Sequence, residues 1–160
     1  MNREVLIAQF EKLLPLAAKW AAAVEARILR EGVPLSEQEL ANAKTMGVNE
    51  PDRVRLLQLD CVPTPADLTL MTAAAAIQFL TPATRGLTLR YGIFVRSDCW
   101  GERGLVAHEL AHTAQYERLG GIEPFLRQYL SECLTIGYPG GPLEQEAIAT
   151  ASQLGNQSAA

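Results

Sequence analysis

The only two histidines of the 160-residue chain stand four residues apart in Leu105-Val106-Ala107-His108-Glu109-Leu110-Ala111-His112-Thr113-Ala114. Apart from Glu109 and Thr113, the other positions of this stretch are apolar. At 3.6 residues per turn it predicts a helix that is apolar on nearly every side and therefore central and buried. Two imidazoles and a carboxylate left there without partners would destabilise the fold by an amount on the order of several kcal/mol. A bound cation removes the conflict, because it supplies the positive charge that the carboxylate and the ring nitrogens lack.

The spacing suits a metal. Side chains at i and i+4 stack on one helix face with β-carbons roughly 5–6 Å apart, so both rings can reach one zinc ion at about 2.0–2.1 Å. Glu109 lies about 100° around the helix from His108, beside the ion rather than on it. There it can take a proton from a water acidified to a pKa of roughly 7. The competing explanation is a chance pattern on an ordinary helix. It does not explain why both histidines fall inside the pattern, on the most apolar helix of the chain.

Catalytic zinc commonly has three protein ligands and one position for water. A third histidine is unavailable: Gln115 and Arg118 stand where a three-histidine extension of the motif would need glycine and histidine. The later carboxylates are Glu117, Glu123, Glu132, Glu144 and Glu146. Glu117 points about 140° away from His112 on the same helix. Glu123 reads as an N-terminal charge matched to the dipole of the next helix, running to about Ile136. Glu132 is expected on that helix's wet side. A last helix opens at Pro142 after Gly140-Gly141. On it Glu144 shares the inward face with Ala147, Ile148 and Ala151, whereas Glu146 shares the outward face with Thr150 and Gln153. Glu144 is the preferred ligand and Glu146 the alternative; both also fit as first-turn acids satisfying the helix dipole.

The rest of the chain sets the frame. Apolar residues make up 48% and charged residues 20%, enough for a hydrophobic core. The net charge of −4 argues against nucleic acid as a partner, which needs a basic stripe. Cys61, Cys99 and Cys133 form no disulfide framework and predict reduced thiols in the cytoplasm. The N-terminus lacks the apolar region of a signal peptide, and no apolar run approaches the ~18 residues of a membrane span.

Leu6, Phe10, Leu13, Ala17, Trp20, Val24 and Ile28 keep helical spacing, interrupted by Pro15, so this segment is a kinked helix or a turn followed by a helix from about Pro15. Ser36-Glu37-Gln38-Glu39 is a capping-box pattern opening a short helix that ends near Gly47. Val54 to Leu59 reads as a strand. Thr64-Pro65-Ala66-Asp67 reads as a second capping pattern for a helix that runs through Ala73 to Ala76 and stops before Pro82. Leu87 to Val95 reads as one strand. The order predicts a mainly helical α+β chain, a single domain over 1–160 with N-terminal helices in 1–50 and the metal-site core in 51–160.

His108-Glu109-Leu110-Ala111-His112, followed by a loop and the helix with Glu144-Gln145-Glu146-Ala147, resembles the gluzincin arrangement of zinc peptidases. The longer run through Gly120, with Gly137-Tyr138 and Pro142 to Ala147, is similar to small bacterial zincin-like proteins. The likeness extends upstream through Gly86 to Val95 and covers roughly the second half of the chain. It implies a zincin-like fold with a small β-sheet and a central motif helix, Zn2+ on His108, His112 and Glu144, and Glu109 activating water to cleave a peptide or protein substrate. It also implies that substrate lies along an edge strand, for which Leu87 to Val95 is the candidate. Ile148 stands where gluzincins commonly carry an acidic residue that would orient a ligand histidine. Tyr138 is a candidate for stabilising an oxyanion, or else a loop aromatic packed on helix ends. Tyr116 either lines the pocket or fills core. Cys99 is either a thiolate on the metal or an incidental thiol, and Arg118 and Arg127 either hold a substrate carboxylate or belong to solvated faces. The alternative to an enzyme is a zinc-bearing structural or interaction domain without turnover.

Overall fold

A computed structural model describes residues 1–158, with side chains described as far as residue 155. Its first helix, α1 (Arg3–Glu31), runs unbroken across Pro15. The proline deprives the helix of one backbone hydrogen bond, but Leu6, Leu14, Ala17, Ala21 and Ile28 bury one stripe on both sides of it. That burial holds the helix together where local propensity would interrupt it. Asn2 caps its start by accepting from the Val5 amide.

After strand β1 (Val33–Pro34), helix α2 (Glu37–Thr45) opens with the expected capping box. Ser36 accepts from the Glu39 amide and Glu39 from the Ser36 amide. Strand β2 covers Arg55–Leu59. Helix α3 (Leu68–Ala76) starts later than Thr64-Pro65 suggested. Asp67 is its N-cap and accepts from the Leu70 amide at 2.8 Å, the stronger of the two capping choices because a carboxylate also favours the positive helix end.

The region read as one strand from Leu87 to Val95 is a hairpin of β3 (Gly86–Leu89) and β4 (Gly92–Arg96). The turn rests on Arg90, whose φ is +58°. Its guanidinium pairs with buried Glu25 of α1, Nε to Oε1 at 3.0 Å and Nη2 to Oε2 at 3.0 Å. Gly92 then passes so close to α1 that a β-carbon there would lie 3.1 Å from the Ile28 side chain. The hairpin is therefore fixed by a helix more than 60 residues away in sequence, a contact that alternating hydrophobicity cannot report.

The four strands stand in the order β1-β2-β4-β3, with β2 and β4 parallel and the other pairs antiparallel. Leu87, Leu89 and Phe94 face a core shared with α1 and α5 (Ile122–Thr135), while Leu56, Ile93 and Val95 face a second core shared with α2 and α4 (Arg103–Leu119). The last helix, α6 (Pro142–Ser158), packs on α4. The architecture is α+β and mainly helical. No helix among the described residues is long and apolar enough to cross a membrane.

Candidate metal centre

Nine residues of α4 are buried, among them Glu109, His112, Thr113 and Gln115. His108 and His112 project from its middle turns with ring centroids 4.7 Å apart and ring planes 85° apart. Their Nε2 atoms approach to 3.1 Å. Glu144, in the first turn of α6, lies across both: Oε1 is 3.0 Å from His108 Nε2 and Oε2 is 3.2 Å from His112 Nε2. The potential ligand atoms of these three residues all lie within 4.8 Å of one another.

The surroundings orient each of them. Gln115 donates from Nε2 to the Leu143 carbonyl at 2.8 Å, which turns its Oε1 toward His112 Nδ1, also at 2.8 Å. An amide oxygen only accepts, so Nδ1 donates to it; without an ion Nε2 then donates to Glu144, and would turn a lone pair to the same point once an ion displaced that proton. Tyr129 of α5 donates its hydroxyl to Glu144 Oε2 at 2.7 Å. Burial would raise the carboxyl of Glu144, but hydrogen bonds from His108 and His112 and their charge outweigh it and hold the group well below the usual carboxylate range. Burial lowers His108, yet the Glu144 hydrogen bond and the charges of Glu109 and Glu144 raise it above its ordinary value of 6.5. Burial, reinforced by Glu144, keeps the Tyr129 phenol protonated.

This donor set fits a metal. Ligands at about 2.0–2.2 Å around a tetrahedral zinc are separated by about 3.3–3.6 Å, close to the 3.0–3.2 Å separations seen here. A neutral imidazole with its lone pair turned inward and an ionised carboxylate are the protonation states that such an ion requires. Without an ion, the cluster is held by imidazole–carboxylate pairs, and a proton must occupy the place of the cation.

Glu109 is buried beside the triad. The Thr88 hydroxyl of β3 stands 2.6 Å from its Oε2. Glu109, His108, His112 and Glu144 line one wall of a cleft of about 540 Å³, whose other lining residues include Phe79, Arg85, Gly86, Leu87, Phe125, Tyr129, Tyr138 and Ile148. Tyr138 stands at the rim, half exposed; burial and the nearby charges of Glu144 and Glu109 raise its pKa, so its phenol remains a donor.

Other candidates lie elsewhere. Glu146 pairs with Arg118 at 2.8 Å on the outer side of α4 and α6. Glu117 accepts from the Asn49 and Glu50 amides and from the Tyr91 hydroxyl. Glu132 is half-buried at the border of the expected wet side: Oε1 accepts from exposed Gln128, and Oε2 accepts from the Leu143 amide at 2.9 Å, which anchors the start of α6. Arg127 pairs with Glu11 of α1. Cys99 is buried against Arg85, whose Nε donates to Sγ at 3.2 Å, and it does not line the cleft. Tyr116 is a core residue, stacked on Phe125 with its hydroxyl donating to the Thr88 carbonyl.

Gln115, Tyr129 and Thr88 are contacts that sequence reasoning did not single out. Gln115 had a signal: it is polar and lies three residues after His112, on the same helix face. Gln115→Leu is expected to weaken metal affinity by about 10- to 100-fold through loss of the ring's orienting partner. Competition with a chromophoric chelator measures it, and unchanged affinity would remove Gln115 from this role.

The chain matches no family model, and no curated protein or solved structure shows significant similarity to it.

Proposed function

We propose that this cleft is the active site of a zinc-dependent peptidase with a zincin-like core. The observation that carries the reading is the convergence of His108, His112 and Glu144 with a separately held carboxylate, Glu109, beside them. A purely structural site has no use for that fourth group. His108, His112 and Glu144 would hold the ion, and zinc, when bound, acidifies water and polarises a carbonyl oxygen.

The chain's own groups supply the rest. Glu109 takes a proton from the attacking water and becomes a carboxylic acid. It returns that proton to the leaving nitrogen as the C–N bond breaks, regenerating the carboxylate. Tyr138, which lines the cleft and keeps its proton, would donate to the oxygen on which negative charge develops. Phe79, Leu87 and Phe125 give the cleft part of its apolar lining.

An extended substrate finds a natural seat on β3. That strand, rather than the whole of residues 87–95, is the sheet edge beside the cleft, while β4 is interior. The Arg96 amide donates to the Arg85 carbonyl, so by antiparallel alternation the Gly86 amide and carbonyl and the Thr88 amide turn toward the free edge. A peptide added there would gain main-chain hydrogen bonds next to the metal centre.

The test is cleavage of a diverse peptide library by the intact chain. Cleavage is expected with zinc bound, lost after chelation and restored by stoichiometric zinc. Zinc retention without cleavage would instead identify a non-catalytic zinc-bearing domain.

A further inference from the structure

From the contact between β3 and α4, we infer that Thr88 and Gly86 are positioning residues for Glu109, together setting which of its carboxylate oxygens handles the proton. The inference rests on the peptidase reading for its chemistry, but the geometry stands by itself.

Thr88 and Gly86 alternate along β3 and therefore face the same side of the strand. That side looks onto α4 at Glu109. Thr88 is buried, with its hydroxyl 2.6 Å from Glu109 Oε2 and 2.9 Å from the Glu109 main-chain oxygen. Both neighbours accept and the hydroxyl has one proton; the shorter contact and the carboxylate's charge direct it to Oε2. At Gly86 the missing side chain matters: a β-carbon there would lie 2.7 Å from Oε1 and 3.1 Å from the carboxyl carbon of Glu109. Its backbone has no need of glycine on conformational grounds, since no positive φ occurs there. The glycine instead makes room for the carboxylate.

The two residues act as a donor and a gap. Thr88 occupies Oε2, and Gly86 leaves space for Oε1, which has no protein donor among the described residues. Oε1 is then the basic oxygen that receives the proton from water, while Oε2 keeps the carboxylate plane fixed. A carboxylate held by one oxygen has one orientation toward the reacting water. Released, it samples rotamers in which neither oxygen is aligned, and misplacement by about 1 Å lowers turnover on the order of a hundredfold.

The experiment compares Thr88→Val, which keeps the shape and removes the hydroxyl, with Thr88→Ser, which keeps the hydroxyl. Crystal structures of the zinc-loaded proteins are expected to show the Glu109 carboxylate displaced in the valine variant and in place in the serine variant. His108, His112 and Glu144 should be unmoved in both. On a cleaved library peptide, kcat is expected to fall about a hundredfold in Thr88→Val with KM and zinc content unchanged, and to recover in Thr88→Ser. Gly86→Ala tests the gap independently, and keeps the inference open to refutation should the valine variant fail to fold; its added carbon is expected to push the carboxylate aside. An unmoved carboxylate in Thr88→Val or Gly86→Ala, or wild-type kcat in Thr88→Val, overturns the inference. If the wild-type protein cleaves nothing, the peptidase reading fails while the crystallographic comparison still decides the positioning.

Discussion

His112→Ala protein is expected to bind zinc at least about a hundredfold more weakly than wild type. Loss of an outer hydrogen-bonding partner alone typically weakens a metal site by about 10- to 100-fold, and this change removes a ligand and strands the Gln115 oxygen that orients it. Glu144→Gln should approach the same loss, because the amide lacks the charge that opposes the ion and offers a poorer donor atom. Glu146→Gln should leave affinity unchanged, since that carboxylate is engaged with Arg118 outside the cluster. The pH dependence has a definite sign. Protonation of His108 competes with the metal, and its pKa lies above 6.5 in the metal-free protein; occupancy at limiting zinc should therefore fall with decreasing pH, starting above the ordinary imidazole range. Metal analysis of protein purified without an affinity tag, followed by chelator competition, measures all of this. Full zinc retention in His112→Ala would dismiss the proposed centre.

The second large effect concerns turnover. Glu109→Gln is expected to lower kcat by about 10²- to 10⁴-fold, the usual contribution of a general base. The substitution preserves shape, and the glutamine oxygen can still accept from Thr88, so the fold and zinc content should be unaffected. This separates loss of proton transfer from loss of the site. Equal peptide cleavage by wild type and Glu109→Gln would reject the peptidase assignment, because among the described residues the only other buried carboxylate lining the cleft is Glu144, itself a member of the triad.

Much of the site was legible because helices repeat. His108, Glu109 and His112 announce their geometry through spacing alone, and the inward phase that Glu144 shares with Ala147 separates it from Glu146, although Ile148, expected on the same face, is exposed at the cleft. The structure brings His108, His112 and Glu144 together. What the sequence left hidden depends on contacts between distant segments. Arg90 makes a turn because Glu25 of α1 is there to pair with it. Pro15 stays inside α1 because burial along its stripe outweighs the lost hydrogen bond. Glu132 keeps part of its expected exposure, yet one of its oxygens serves the Leu143 amide where α6 begins, a role that spacing along α5 cannot report. Thr88 and Gly86 belong to a strand whose pattern reads simply as core, and their relation to Glu109 emerges only when β3 lies across α4.

The separation of Glu144 from the histidine pair also bears on biosynthesis. A chain emerging from the ribosome presents His108 and His112 before residues 136–144 exist outside the tunnel, so the early segment can offer an ion two nitrogens but no carboxylate from α6. The site is completed only when α6 docks on α4 through Gln115–Leu143 and Arg118–Glu146. On the proposed reading the full ligand set exists only once α6 has docked, so zinc capture would follow that docking and fasten the C-terminal helix to α4.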